Sequence, residues 1–172
     1  MLQKVENYDL EELVNFVYSI YRHTEGKYPF LEWVENKPDK NDYEKFRDIY
    51  KNFLRKRIEE EFDEFYLWKN EKIISTFALV YEFKNKNIEW IPPFLAKKNS
   101  GFIEFFIVSP EYQGKGYGKI MLNKAIERLN ELGKDKYVVT SSKIDAYSFY
   151  KKFGFKDFCT YKQFLIMKYG ND

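Results

Sequence analysis

Apolar positions along the chain change period several times, and each change predicts an element. Leu10, Leu13, Val14, Val17 and Tyr21 recur at helical spacing behind Asp9 and Glu12, a capping-box-like start, and predict a helix through Tyr21. A strand over Met1 to Val5 precedes it. A connector from Arg22 to Lys40 holds Gly26, Pro29, Pro38 and the aromatics Tyr28, Phe30 and Trp33. Asn41 and Glu44 then open a second helix, expected to run to about Glu61 on Phe46, Tyr50, Phe53, Leu54 and Ile58. Strands follow at Glu64 to Trp68 and Ile73 to Phe83, and the turn Lys69-Asn70-Glu71-Lys72 makes them a hairpin. After a polar insert, Lys84 to Ser100, the run Phe102 to Val108 is rich in β-branched and aromatic residues and is closed by Ser109-Pro110, so it reads as a buried strand. Ile120 to Leu132 is a helix on Leu122, Ala125, Ile126, Leu129 and Leu132, stopped by Gly133. A strand at Tyr137 to Ser141, a short helix starting near Ala146 and ended by Gly154, and a final stretch from Phe155 to Lys168 complete the chain. No internal repeat interrupts this order.

Chemistry enters between the buried strand and the third long helix. The run Glu111-Tyr112-Gln113-Gly114-Lys115-Gly116-Tyr117-Gly118 sits where a phosphate-bearing cofactor would be gripped. Its glycines let backbone amides close around a pyrophosphate, and the amides at a helix N-terminus are otherwise unpaired donors. Lys115 and Lys119 add positive charge. A plain turn before a surface helix explains the same glycines. Two other phosphate loops are excluded: no Ser or Thr follows Gly118-Lys119 as a P-loop requires, and the spacing is GxGxG rather than GxGxxG.

The run Ala146-Tyr147-Ser148-Phe149-Tyr150-Lys151-Lys152-Phe153-Gly154-Phe155 decides between the two. Together with Gln113-x-x-Gly116-x-Gly118, it resembles the GNAT superfamily of acyl-CoA-dependent N-acyltransferases, whose patterns have the forms Q/R-x-x-G-x-G/A and A-x-x-F-Y-x-x-x-G-F in this order. The resemblance covers Gly101 to about Lys168; before Gly101 it rests on the order of elements. It implies an α+β fold with a mixed, mostly antiparallel sheet, a splayed central strand pair and helices on both faces. It implies acetyl-CoA as the acyl-donor cosubstrate, with Phe106, Ile107 and Val108 against the pantetheine arm. The loop Gln113, Gly114, Lys115, Gly116, Tyr117, Gly118 and Lys119 would hold the pyrophosphate.

Acetyl transfer to an amine needs a neutral nucleophile, a polarised carbonyl and a proton donor for the leaving thiolate. Tyr150 matches the family tyrosine that faces the thioester sulfur, and a phenol of pKa about 10 can donate without ionising at rest. Without the resemblance it reads as a core residue, since Ala146, Phe149, Tyr150 and Phe153 form an apolar face. Glu104, the only carboxylate inside the cofactor strand, sits where some members carry a catalytic glutamate; the alternative is an ion-paired or surface residue. Glu82 and Glu89 stand in reserve, and a backbone N–H near Ile107 would polarise the carbonyl. The chain departs from the pattern at Lys143, where many members have asparagine seven residues before the tyrosine. Ser141, Ser142 or Lys143 itself could take over that contact, while Ser142 with Asp145 also reads as a helix cap.

Composition narrows the remaining choices. The 172 residues, 44% apolar, suit one domain spanning 1–172. Twenty-nine basic against 27 acidic residues give no charge that demands nucleic acid or an anionic membrane. One cysteine, Cys159, and one histidine argue against a disulfide or a zinc site, and no apolar run is long enough to cross a bilayer, so a reducing cytoplasm fits. A homodimer stays open. The aromatic fifth of the chain reads as core filling. The acceptor, expected to be a primary amine of a small molecule or peptide, would meet Tyr28, Phe30, Trp33 and Trp90, with Pro92-Pro93 stiffening the insert. Glu59-Glu60-Glu61-Phe62-Asp63-Glu64 either attracts a cationic acceptor or forms a solvated helix end. Two alternatives to a transferase remain: a non-catalytic acyl-CoA-binding or sensor module on the same fold, and a nucleic-acid-binding protein, which the near-neutral charge disfavours.

Overall fold

The structure, a computed structural model, describes residues 1–29, 31 and 34–170. Phe30 and Trp33, expected in the acceptor wall, lie outside the described residues. A seven-stranded sheet runs in the order β1-β2-β3-β4-β5-β7-β6. Its strands are β1 (Leu2–Lys4), β2 (Glu64–Lys69), β3 (Ile73–Val80), β4 (Ser100–Val108), β5 (Asp135–Thr140), β6 (Phe155–Tyr161) and β7 (Phe164–Tyr169). Among the described residues only the β4–β5 pair is parallel. The helices are α1 (Leu10–His23), α2 (Tyr43–Lys56), α3 (Tyr117–Glu131) and α4 (Ala146–Phe153).

Every residue of β3 is buried, because helices cover both faces of the sheet. On one face α1 and α2 bring Leu13, Val14, Val17, Phe46, Tyr50 and Leu54 against Phe65, Ala78, Phe105 and Ile107. On the other, α3 and α4 bring Leu122, Ala125, Ile126, Leu129 and Tyr150 against Phe77, Leu79, Ile103 and Val138. The insert expected to be polar extends the core instead: its Ile88, Ile91 and Leu95 pack with Val80, Phe102, Tyr137 and Ile166. Aromatic rings fill these clusters, with Tyr21, Phe46, Phe77, Phe102, Tyr137 and Phe155 fully buried.

The α1 start follows the expected cap only in part. Asp9 accepts the Glu12 amide at 3.2 Å, but the Glu12 carboxylate accepts from Lys69 at 2.7 Å rather than turning back to the cap. The α2 cap is Asp42, which accepts the Lys45 amide at 3.1 Å, one residue beyond the Asn41 that the sequence suggests. At its far end α2 widens into a π turn, Arg57–Glu61, closed by the Phe62 amide on the Arg57 carbonyl at 2.8 Å. The turn carries Arg57 and Glu61 inward. The acidic run is therefore not one solvated face: Glu59 and Glu60 are exposed, whereas Glu61 and Glu64 are buried. Glu64 accepts hydrogen bonds from Tyr66, Tyr81 and Arg128, tying β2 to α3.

The final stretch folds as a hairpin in which β7, not β6, pairs with β5. Among the described residues no helix is long and apolar enough to cross a membrane, and no cluster of three or more His, Cys, Asp or Glu side chains could hold a metal ion.

Candidate active site

The site begins where β4 leaves β5. The parallel ladder joins Ser100–Ile103 to residues 135–138 and goes no further, so the second half of β4 has no partner on that side. Just there β4 bulges: the register with β3 shifts between Thr76 and Ala78, and Phe105 takes a left-handed φ of +51°. A bulky residue at positive φ is strained, and the hydroxyl of Thr76, donating to the Phe105 carbonyl at 2.7 Å, helps to hold it. The bulge resets the alternation of the strand. Phe105 and Ile107 pack toward α1 and α2, while Ile103 and Phe106 pack toward α3 and α4, so two residues rather than one separate the latter pair.

A cleft of roughly 1230 Å3 opens from this splay, and it is lined by residues from both halves of the sheet. At one end lies the glycine loop. Gly114 and Gly116 have φ of +78° and +93°, backbone that an L side chain resists, although a Cβ at either would meet open space. A Cβ on Gly118 would stand 3.3 Å from Phe149 and 3.6 Å from Val108, so here the glycine keeps room. Among the described residues no amide from Gln113 to Lys119 donates to a protein acceptor; the first amide of α3 to do so is that of Ile120, on the Gly116 carbonyl. That leaves a row of donors at a positive helix end. Across the cleft, Thr140 Oγ1 is buried and has no hydrogen-bond partner in the protein. These orphaned donors and the open β4 edge fit a phosphate-bearing, amide-rich cosubstrate.

The expected cofactor residues separate into two groups. Phe106, Ile107, Val108, Gln113, Gly114, Gly116, Gly118 and Lys119 line the cleft. The side chains of Lys115 and Tyr117 turn away: Lys115 lies 5.4 Å over the Tyr112 ring, and Tyr117 packs edge-on against Trp68 and Tyr112. Those two positions have only amides to offer. Gln113 donates its side-chain amide to the Val108 carbonyl at 3.0 Å, fastening the loop to the strand. Lys143 lines the cleft, and its amide is held by Ser141 Oγ at 3.2 Å. The expected Ser142 cap does not form; α4 starts after Asp145, without a side-chain cap.

Tyr150 reaches the cleft from α4, its ring packed against Phe106, Phe149 and Phe155. Burial, aided by repulsion from Tyr28, pushes its phenol above the usual tyrosine range. Glu104 lies in the same cleft and is 7% exposed. One oxygen pairs with Arg57, and the other accepts from Trp90 Nε1 at 2.5 Å. Arg57 is itself buried, with Trp90 and Phe62 rings 4.4 and 4.8 Å from its guanidinium carbon. Of the reserve carboxylates, Glu89 is exposed beside Lys162 on the rim and Glu82 lies outside the cleft lining.

Arg57 and Glu61 were not singled out from the sequence. A signal existed: they continue the inward stripe Phe46, Tyr50, Leu54 at positions where a core helix should be apolar.

The model of the acetyltransferase (GNAT) family matches residues 13–155. The chain belongs to that family. As a GNAT protein it is similar to several solved structures. A Pyrococcus horikoshii protein classed as an acetyltransferase is 47% identical, with 98% of this chain and 96% of that one covered, at a TM-score of 0.79. Two more distant structures share the GNAT fold. The PaiA N-acetyltransferase of Thermoplasma acidophilum, in complex with coenzyme A, is 19% identical with 99% of both chains covered and a TM-score of 0.65. A GNAT acetyltransferase of Brucella melitensis, in complex with acetyl-CoA, is 14% identical with 100% and 89% covered and a TM-score of 0.57. No curated protein matches the chain.

Proposed function

We propose that this GNAT protein is an acetyl-CoA-dependent N-acetyltransferase acting on a primary amine of a small molecule or peptide. The observation that carries the reading is the convergence, in one cleft, of the unpaired amides after β4, the Tyr150 phenol and the Glu104 carboxylate. The complexes of relatives with coenzyme A and acetyl-CoA support it.

Acetyl-CoA supplies an acetyl group activated as a thioester. The amides from Gln113 to Lys119 bind its pyrophosphate, and the open edge at Phe106, Ile107 and Val108 pairs with the pantetheine arm. A backbone N–H near Ile107, held by the bulge, donates toward the carbonyl oxygen. Glu104 attracts the acceptor ammonium and takes its proton, directly or through a water. Each of its oxygens accepts one hydrogen bond and keeps a further lone pair for this work. As the C–N bond forms and the C–S bond breaks, Tyr150, kept protonated by burial, donates to the departing sulfur, and the second proton shed by the acetylated nitrogen restores the phenol.

The test is coenzyme A release from acetyl-CoA across polyamines, aminoglycosides, amino acids and short peptides, with Tyr150→Phe alongside. Release with one acceptor class that collapses in Tyr150→Phe supports the reading. The engagement of both Glu104 oxygens favours one other reading, an acyl-CoA-binding module without turnover. Binding of acetyl-CoA with no release from any amine would select it.

A further inference from the structure

The acceptor end of the cleft holds one guanidinium between two carboxylates. Arg57, Glu61 and Glu104 are 7%, 9% and 7% exposed, and all three line the cleft. Arg57 cannot serve both acids equally. It makes a hydrogen-bonded ion pair with Glu104, which also receives the Trp90 indole N–H. Toward Glu61 it offers only Nε, 2.7 Å from Oε1 but not aligned for a hydrogen bond, so both atoms are left without one. Among the described residues the Glu61 carboxylate accepts no hydrogen bond. The rings of Trp90 and Phe62 flank the guanidinium where it pairs with Glu104.

The surplus negative charge therefore falls on Glu61. Among the described residues no cation besides Arg57 forms an ion pair with it, although Lys27 and Lys56 line the same cleft. Desolvation makes the charged carboxylate costly there, with Glu104 and Glu60 adding repulsion and Arg57 and Lys56 opposing it. A buried acid in this condition is stabilised by a cation that arrives with a ligand. The approach is walled by Tyr28, Tyr50, Phe53 and Trp90, which suit a methylene stem and a cationic nitrogen over a ring.

We propose that Glu61 binds a second cationic nitrogen of the acceptor, apart from the amine that reacts beside Glu104, so that the preferred acceptor is a short aliphatic diamine. This rests on the cleft being the acceptor site of the transferase. Arg57 acts as the spacer, holding Glu61 at Nε and Glu104 at Nη2 so that each carboxylate meets one nitrogen of the ligand.

The experiment is calorimetric binding of butane-1,4-diamine and n-pentylamine, similar in length and differing by one charge, to the full chain saturated with coenzyme A. The diamine should bind about tenfold to a hundredfold more tightly, as expected for one charge-assisted hydrogen bond. Glu61→Gln should erase that preference while leaving coenzyme A affinity unchanged. Glu59→Gln, an exposed carboxylate on the same turn, should retain it. Equal affinities in the unaltered protein, or a preference that survives Glu61→Gln, would overturn the proposal and leave Glu61 a structural ion. Should Glu61→Gln fail to bind coenzyme A, Glu61→Met, which also removes the charge, replaces it, and an unchanged preference for the diamine would again count against the proposal. Binding is read without turnover. A diamine preference with no coenzyme A release would overturn the transferase reading alone, and release with no preference would overturn this one alone.

Discussion

The two ends of the cleft are built from different materials. At the proposed cofactor end the groups facing inward are backbone: amides after Gln113, the β4 edge that β5 leaves open, and glycines that leave space. At the proposed acceptor end they are side chains, with a buried guanidinium, two carboxylates and aromatic rings drawn from α2, its π turn, the insert and β4. A backbone site binds any ligand that carries phosphates and an amide arm, and its chemistry survives many side-chain changes. A side-chain site depends on which charges are present and on how each is paired, so a single substitution can redirect it.

Substitutions can break that contrast at several points. Tyr150→Phe tests the junction of the two ends and should have the largest effect, a fall in kcat of about a hundredfold to ten-thousandfold with acetyl-CoA affinity unchanged. If affinity fell instead and kcat held, Tyr150 would be a core residue of the cofactor end. Glu104→Gln tests the acceptor end. Turnover should drop about a hundredfold, and the melting temperature should fall as well, because Arg57 loses its aligned counter-charge. A loss of stability without a loss of turnover would make the pair purely structural. Gly116→Ala tests the backbone site, since holding an L-residue left-handed costs about 1–2 kcal/mol; acetyl-CoA binding should weaken about tenfold with acceptor KM unchanged.

The smallest effect concerns the scaffold beneath both ends. Burial pushes the Glu64 carboxyl up, but hydrogen bonds from Arg128, Tyr66 and Tyr81 outweigh it and hold the pKa at about 2, below the ordinary 4.5. A depressed carboxyl stabilises the fold above its unfolded pKa, and that share is lost as pH falls from about 4.5 toward about 2. Thermal melts across this window should show unaltered protein and Glu64→Gln converging at the acid end. Parallel curves would mean that Glu64 contributes nothing through its charge.

The glycine loop was legible because its geometry is local. Gln113, Gly116 and Gly118 set the conformation of a few consecutive residues, and a strand before them with an amphipathic helix after them is a periodicity signal. The acceptor end was legible only in fragments. Glu104 stood out as a charge in an apolar strand, but its partners lie 47 residues upstream and 14 residues upstream. Glu61 was hidden inside an acidic run whose members face different ways once α2 widens.

Taken alone, the sequence determined the kinds and order of the elements, the glycine loop, the Tyr150 helix and the family, since periodicity, turn chemistry and motif spacing act over short stretches of chain. Tertiary structure decided where strands end up in the sheet and which charges meet. It placed β7 between β5 and β6, ended the β4–β5 ladder after Ile103, put the bulge at Phe105 and set Arg57 between Glu61 and Glu104. Those outcomes depend on packing between segments far apart in the chain, and a buried charge is paired by whichever segment the fold brings beside it.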